Sequence, residues 1–279
     1  MKKIIVTTSW DDGHKLDIKV ASLLKKYGVK GTFYITPKNR DFFKKDLLTD
    51  RQIVAIGKDF EIGAHTLTHP LLPRDLSTVW YKLTMKIFRA LRGKEYKMPA
   101  NIGISEAKEE IIGSKRYLET LLRKEIISFC YPGGRHNNKI QKLVKEVGFK
   151  YARTIDEYCF SIPENFLVSG TSIHAFRHYR DIFKNAKFSK WNLGEFIRNS
   201  DWQHLAKRMF DHVLEEGGIY HFWGHSWLIE ESSEWDKLEN VLSYIANRKN
   251  VKYLTNSELV TTQSPKYANI HLQANLTDN

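Results

Sequence analysis

The sequence predicts an α/β fold in which a parallel sheet carries helices on its outer side. Short apolar runs alternate along the chain with segments whose apolar residues recur at helical spacing. This repeated strand–helix order is typical of parallel sheets. Two helical segments end at a glycine, Gly28 or Gly148, as helices commonly do. The clusters of polar residues follow predicted strands, which is where such folds carry their active residues.

The elements of the first half follow from these patterns in order. Residues 4–6 form an apolar strand, and a helix runs from residue 16 to residue 27. Residues 31–36 form the second strand, a short helix covers residues 51–58, and a third strand precedes His65. Ser105 is expected to cap a long helix that extends to residue 122.

The second half continues the alternation. Strands are predicted at residues 126–130, 151–155, 219–223 and 251–254. Helices are predicted at residues 140–147, 202–216 and 235–246, and Asp201-Trp202 is expected to open the second of them. Because parallel strands end at one edge of the sheet, the polar segments after them are expected to form one site.

The length and composition favour one large domain. The chain has 279 residues, of which 42% are hydrophobic, and no interior segment rich in Pro, Gly or Ser marks a linker. We expect one domain over residues 1–262 and a polar C-terminal tail over residues 263–279. Residues 73–104 combine aromatic residues with many lysines and are interpreted as an insertion, which either walls a substrate groove or packs as a buried helix.

The sequence carries no pattern typical of export or membrane insertion. Its first residues lead directly into the first polar motif, so cleavage of a signal peptide would remove that motif. No apolar stretch approaches about 18 residues. We therefore expect a cytoplasmic protein without a membrane span. Cys130 and Cys159 are expected to be free, buried thiols, as is usual for a large chain without an export signal.

The formal net charge of +12 limits the class of partner. The lysines are scattered along the chain, which favours a solvated basic surface. An anionic substrate, such as a nucleotide-linked or lipid-phosphate-linked sugar or an anionic polymer, would also suit this charge. Nucleic acid is not expected, because the sequence has no helix-turn-helix, zinc-finger or aromatic–basic pattern. The sequence does not specify the oligomeric state.

The most informative residues are Asp11 and Asp12, which follow the first apolar strand and precede Gly13. Asp-Asp-Gly alone is typical of a turn, but two adjacent carboxylates in a pocket need a cation or a shared proton. His65 and His69 lie four positions apart behind another apolar run, and on a helical turn this spacing brings both imidazoles to one side. Two histidines and one carboxylate form an open metal site with room for water.

These motifs resemble the polysaccharide deacetylases, the family that shares the NodB homology domain (carbohydrate esterase family four). The family's first motif, Thr-Phe-Asp-Asp-Gly, is matched at residues 10–13 with Trp for Phe, and its His-(Ser/Thr)-x-x-His motif is matched at residues 65–69. Residues 129–135 resemble the family's proline-containing loop, and residues 221–227 resemble the late strand that carries the catalytic histidine. The resemblance spans roughly residues 4–260 and implies an incomplete or distorted (β/α) barrel of the deacetylase type.

The resemblance implies a role for each matched residue. Three residues would bind one divalent metal: Asp12, His65 and His69. Zinc is favoured for this ligand set, with cobalt, nickel or manganese as alternatives. Asp11 would be the catalytic base, and His225 would protonate the leaving amine. The main-chain N–H of Gly133 would stabilise the oxyanion.

The chain departs from the family pattern at three places. Cys130 stands where the family has an arginine, and Arg153 is either its replacement or a surface residue. The family's Asp-Trp fourth motif has no clear copy. The late strand holds His221 and His225 on one face, and His225 is preferred as the acid because it lies nearer the strand's C-terminal end.

Four residues are expected to contact the substrate: Tyr131, Arg153, His174 and Trp227. For His174, a structural role is the slightly favoured alternative. Together with these residues, the resemblance implies a metal-dependent hydrolase that removes N-acetyl groups from an amino sugar of the N-acetylglucosamine type. The alternatives are an O-acetyl esterase, another amide or imide hydrolase on the same fold, and a non-catalytic carbohydrate-binding relative. The metal ligands argue against the metal-free imide hydrolases, and the presence of both Asp11 and His225 argues against a binding module.

Overall fold

A curled parallel sheet forms the centre of the computed structural model, which describes residues 2–74, 102–176 and 182–263. Its strands are β1 (Ile4–Asp12), β2 (Thr32–Ile35), β3 (Glu61–Ala64), β4 (Ser128–Cys130), β5 (Tyr151–Arg153), β6 (Ile173–His174), β7 (Gly218–Gly224) and β8 (Val251–Tyr253). The strand order is β5-β4-β3-β2-β1-β7-β6, and β8 pairs with the first residues of β1. Every ladder between these strands is parallel. The expected incomplete barrel is confirmed.

Helices surround this sheet, most of them on its outer side. They are α1 (Asp17–Tyr27), α2 (Asp50–Asp59), α3 (Ile104–Leu122), α4 (Asn138–Glu146), α5 (Ile182–Phe188), α6 (Leu193–Arg198), α7 (Trp202–Glu216), α8 (Ser226–Glu231), α9 (Trp235–Ile245) and α10 (Asn256–Gln263). Short 3-10 turns occur at Lys44–Asp46, Pro132–Gly134 and Phe166–Val168. None of the helices in the described residues is long and apolar enough to cross a membrane.

Most sequence-based elements are confirmed within a few residues. Helix α7 has the predicted bounds and Asp201 as its N-cap, and Gly28 ends α1 with a φ of 65°. The cap predicted for α3 is wrong, because the N-cap is Gly103 and its N–H donates to the Glu106 carboxylate. Periodicity did not predict β6, α5, α6, α8 or α10, because these elements are short or weakly amphipathic.

The interior of the curled sheet is built in layers. Alternate residues of β1 face inward: Ile5 packs with Leu259 and Val260 of α10 in an apolar plug at the N-terminal ends of the strands. Ser9 and Asp11 lie above this plug and bond to residues on other strands. Residues on the other face of β1, such as Val6 and Trp10, join the main core under the helices. The sheet therefore encloses a polar interior that opens at the C-terminal ends of its strands.

Two sequence-based predictions concern segments that the structure hardly describes. The insertion predicted at residues 73–104 lies outside the described residues apart from its first two and last three positions. The tail predicted at residues 263–279 lies outside them apart from its first residue. Both predictions stand as predictions.

Candidate metal and catalytic site

The site begins where β1 ends. Asp11 and Asp12 are its last two residues, and both are almost fully buried. Asp12 and Gly13 have positive φ angles of 82° and 72°, so the chain turns sharply here. Consecutive residues of a strand point to opposite sides, and this turn brings the Asp12 carboxylate round towards the histidines of the β3 loop.

Three ligand atoms converge beside Asp12. Its Oδ1 lies 3.6 Å from Nε2 of His65 and 3.4 Å from Nε2 of His69, and the two Nε2 atoms are 3.2 Å apart. Ligand atoms about 2.0–2.2 Å from a tetrahedral zinc lie about 3.3–3.6 Å from one another. Asp12 Oδ1 is also buried without a hydrogen-bond partner among the described residues. The spacing and this unsatisfied oxygen fit a divalent cation.

The two histidines do not lie on a helical turn, so that part of the sequence interpretation is wrong. They lie in a loop after β3 in which Thr66 and His69 have positive φ angles of 63° and 66°. The carboxylate of Glu110, on α3, accepts the main-chain N–H groups of Leu67 and Thr68 at 2.9 and 2.8 Å. A helix on the outer side of the sheet therefore holds this strained loop, which brings the imidazoles together.

Each imidazole is oriented through its other nitrogen. His65 Nδ1 donates to the Cys130 carbonyl at 2.8 Å, and His69 Nδ1 donates to Asp41 Oδ2 at 2.5 Å. Burial lowers the pKa of His65 to about 4. Burial also acts to lower the pKa of His69, but the charges of Asp12 and Asp41 outweigh it and raise that pKa. Such outer partners fix the ring orientation of metal-binding histidines.

Asp12 is held ionised by its surroundings. Burial alone would raise its pKa, but the charges of His225, His69 and His65 and a hydrogen bond from Trp227 lower it to about 2. The Trp227 indole N–H donates to Asp12 Oδ2 at 2.8 Å, and its half-buried ring packs 5.6 Å from that of Phe42. Trp227 thus forms a wall of the site, next to a predicted metal ligand.

Asp11 faces a different partner. Its Oδ2 accepts a hydrogen bond and ion pair from Arg153, which is fully buried, so the alternative of a surface arginine is wrong. Arg153 pairs in register with Cys130 on the neighbouring strand and donates to its Sγ at 2.9 Å. Burial acts to lower the Arg153 pKa, but the charge of Asp11 raises it. The small thiol at position 130 therefore leaves space for an arginine one strand away to reach Asp11.

The late strand separates its two histidines by depth. His225 follows β7, and its Nε2 lies 4.0 Å from Asp11 Oδ2 and 3.8 Å from Asp12 Oδ2. His221 is buried deeper, where its Nε2 meets Ser9 Oγ at 2.8 Å. Burial lowers the pKa of His221 well below its usual value. The structure therefore places His225 at the carboxylates and His221 below them.

The remaining predicted residues take different positions. Gly133 lies in the 3-10 turn after β4 with a φ of 56° and is exposed. Tyr131 is fully buried, and its hydroxyl donates to the Leu167 carbonyl, so contact with substrate would need this ring to leave the core. His174 is also buried, with Nε2 2.9 Å from His225 Nδ1. Both cysteines are free as expected, but Cys159 is exposed and its predicted burial is wrong.

Sequence reasoning missed Asp41 and Glu110. Asp41 lies five residues beyond a predicted strand, in the loop at the C-terminal end of that strand. A polar residue in such a loop is the signal that could have identified it. Glu110 lies on a helix that the sequence predicts only from its apolar face. Its exposed-looking position offers no signal, because its contact with the histidine loop depends on tertiary packing.

Known proteins that resemble this chain fall in one family. The family model for polysaccharide deacetylase matches residues 1–152, more than half of the chain. No curated protein sequence matches it. A solved structure of Streptococcus pyogenes deacetylase PplD in complex with acetate is 20% identical with a TM-score of 0.45. That comparison covers 59% of this chain and 62% of the other, so the chain spans less than two thirds of that structure.

Two further structures cover the chain almost completely. A Mycobacterium smegmatis protein assigned to the polysaccharide deacetylases has 13% identity and a TM-score of 0.56, over 94% of this chain and 90% of that one. The Xyl-CE4 domain of a multidomain xylanase from the hindgut metagenome of Trinervitermes trinervoides has 13% identity and a TM-score of 0.51, over 94% and 91%. At these identities the similarity establishes the fold.

Proposed function

The chain belongs to the polysaccharide deacetylase family, and on this basis we propose that it is a metal-dependent hydrolase that removes N-acetyl groups from an N-acetylglucosamine-type sugar. The observation that carries this proposal is the contrast between two adjacent carboxylates. Asp12 faces two imidazoles, whereas Asp11 faces an arginine. The first environment suits a metal ligand, and the second suits a base held beside it.

The predicted ligands would hold one divalent ion, and we propose zinc because two imidazoles and one carboxylate suit it. A bound ion of this kind lowers the pKa of a water ligand and polarises a carbonyl oxygen. Because Cys130 and Asp41 engage the Nδ1 atoms of His65 and His69, both rings would present Nε2 to the ion. The low pKa of Asp12 keeps its carboxylate charged for the same purpose.

Asp11 is the proposed base. Arg153 engages its Oδ2, while its Oδ1 is buried and has no hydrogen-bond partner among the described residues. In the proposed reaction, water attacks the acetyl carbonyl carbon and its proton passes to this free oxygen. Through its contact with Oδ2, Arg153 fixes the orientation of the Asp11 carboxylate. This is the role of the family's arginine, which the sequence alone did not assign to Arg153.

The remaining steps use the other side of the pocket. The tetrahedral oxyanion would accept a hydrogen bond from the main-chain N–H of Gly133. Cleavage of the C–N bond leaves an amine that needs a proton, and His225 Nε2 would donate it. The products are acetate and a free amino sugar. Asp11 then releases its proton to solvent, and His225 takes one up for the next turnover.

The charge of the chain suggests which kind of sugar the substrate is. We propose an anionic sugar precursor, since the chain carries a net charge of +12. Activity on a phosphate-linked N-acetylglucosamine should then fall as salt rises, because the screening length is about 8 Å at physiological ionic strength. Equal salt dependence for a neutral chitin fragment would contradict an anionic substrate. The cytoplasmic location expected from the sequence stays a prediction.

One assay tests the reaction type. Acetate release is measured on N-acetylated amino sugars and on O-acetylated sugars, with and without a chelator, for the wild type and Asp11→Asn. We expect chelator-sensitive release from the N-acetylated sugars that is lost in the variant. Faster acetate release from O-acetylated sugars would favour the esterase alternative. An equal rate of acetate release with and without the chelator would exclude metal dependence. Sugar binding without any release would favour the carbohydrate-binding alternative.

A further inference from the structure

His174 lies at the C-terminal end of β6, beside the proposed acid. Its Nε2 is 2.9 Å from Nδ1 of His225, and their ring centroids are 5.1 Å apart. Only 1% of His174 is exposed, whereas 19% of the His225 side chain is exposed. His174 is therefore placed behind His225 and not on the surface of the pocket.

The surroundings of His174 hold it in one orientation. Its main-chain N–H donates to Glu157 Oε1 at 2.8 Å, and the next N–H, of Ala175, donates to the Trp223 carbonyl at 2.7 Å. The imidazole lies against the Trp223 ring, with the centroids 4.1 Å apart. Backbone and ring are both fixed, so His174 can serve as a rigid partner for the neighbouring His225.

His225 needs such a partner. It is the residue between β7 and α8, and half a turn of its ring about χ2 would move Nε2 away from the carboxylates. With Nδ1 held by His174, Nε2 lies within 4.0 Å of Asp11 Oδ2 and Asp12 Oδ2. A hydrogen bond at one ring nitrogen also determines which protons the ring carries.

We propose that His174 is a positioning residue that holds His225 with Nε2 directed at the leaving nitrogen. This inference rests on the proposed function. In the charged state, His225 Nδ1–H donates to His174 Nε2, and His174 carries its own proton on Nδ1. When the C–N bond breaks, the Nε2 proton of His225 passes to the amine, and neutral His225 keeps its Nδ1–H on His174. His174 thus acts as a neutral acceptor throughout and neither gains nor loses a proton.

A pair of substitutions separates this role from packing and from substrate contact. His174→Phe keeps a flat ring against Trp223 but removes the hydrogen bond, whereas His174→Gln keeps a hydrogen-bonding group. For each variant, kcat and KM are measured on an N-acetylated sugar and on an activated aryl acetate. The aryl acetate serves as the matched control, because its leaving group needs little protonation.

We expect His174→Phe to lower kcat on the amide by roughly tenfold or more, since a positioned acid contributes about 10² to 10⁴. Its KM and its activity on the aryl acetate should stay close to wild type, and His174→Gln should recover part of the loss. An equal loss on both substrates would overturn the inference in favour of packing. A raised KM with unchanged kcat would overturn it in favour of substrate contact.

A second readout does not depend on activity. In proton–nitrogen correlation spectra of metal-loaded, nitrogen-15-labelled protein, the His225 Nδ1 proton should show the downfield resonance of a hydrogen-bonded imidazole. It should be lost in His174→Phe and kept in His174→Gln. If the signal persists in His174→Phe as well as in His174→Gln, the inference is overturned. If the wild type hydrolyses no amide, the proposed function fails, whereas these spectra still decide whether His174 holds His225.

Discussion

Two layers of the barrel interior are built from the same strands, yet only one has the features of a reaction site. The lower layer contains Ser9, Tyr151 and His221, and the upper layer contains Asp11, Arg153 and His225. On β1 and β5 the layers are two residues apart, which is one step of the inward face. On these two strands the residues of both layers are buried, and only His225, which follows β7 and is partly exposed, differs in depth from its lower-layer counterpart.

The layers differ in whether their polar atoms are satisfied. In the lower layer, both ring nitrogens of His221 have partners, at 2.8 Å from Ser9 Oγ and 3.5 Å from the Tyr151 hydroxyl. In the upper layer, Asp11 Oδ1 and Asp12 Oδ1 are buried without hydrogen-bond partners among the described residues. Buried polar groups are normally paired, so the unpaired carboxylate oxygens suit the upper layer to the cation and the base proposed above.

The largest expected effect is on the base of the upper layer. Asp11→Asn keeps the shape of the side chain but removes its proton acceptor, so kcat on an N-acetylated sugar should fall by roughly 10² to 10⁴. Elemental analysis should find the same metal content as in wild type. The matched change below it, Ser9→Ala, should leave kcat close to wild type. Metal loss in Asp11→Asn would instead exchange the roles of Asp11 and Asp12.

The next effect compares the two histidines directly. His225→Ala should lower amide hydrolysis by roughly 10² or more, and should lower hydrolysis of an activated aryl acetate far less, because an acid matters most for a poor leaving group. His221→Ala should reduce both activities modestly and equally, through packing. Steady-state kinetics on the two substrates checks this. The opposite pattern would move the acid to the lower layer.

The sequence predicted the upper layer better than it predicted what supports that layer. Asp11, Asp12, His65 and His225 are close together because parallel strands end at one edge, and apolar patterning predicts those ends. The contact of Arg153 with Asp11 could not be predicted in this way. It depends on the curl of the sheet, which carries β5 across the interior, and on the small thiol of Cys130.

The histidine loop shows a second limit of sequence patterns. A spacing of four residues indicates a helical turn, but Thr66 and His69 adopt positive φ angles instead. The imidazoles still meet, since Glu110 and Asp41 hold the loop from a helix and from another loop. Contacts between elements that are distant in sequence have no periodicity, so the ligands were predictable and their supports were not.

A smaller effect is expected at one of these supports. Asp41→Asn removes the charge that holds His69 Nδ1, and loss of such a partner typically weakens metal binding by about 10- to 100-fold. Calorimetric titration of zinc into metal-free protein measures this change. Asp46→Asn is the matched control, because Asp46 lies in the same loop but pairs with Lys15 at the surface. Equal affinities for the two variants would show that the upper layer needs no such support.

The smallest effect concerns the lower layer and pH. Burial depresses the folded-state pKa of His221 well below 6.5, so below pH 6.5 the unfolded chain binds a proton that the folded chain does not. Its contribution to stability is therefore present above about pH 6.5 and is lost as pH falls, by about 1.4 kcal/mol per pH unit for one such group. His65, whose pKa burial lowers to about 4, acts in the same direction in metal-free protein.

The variant His221→Gln isolates the contribution of His221 to the pH dependence of stability, since it keeps a partner for Ser9 and leaves His65 in place. Urea unfolding of metal-free protein at pH 7.5, 6.5 and 5.5 should give a shallower loss of stability for the variant than for wild type. The difference should open only below about pH 6.5, because above that pH His221 is neutral in both the folded and the unfolded chain. Parallel pH profiles would mean that His221 takes up a proton in the folded state, and the closed lower layer would then be a second titrating site beneath the first.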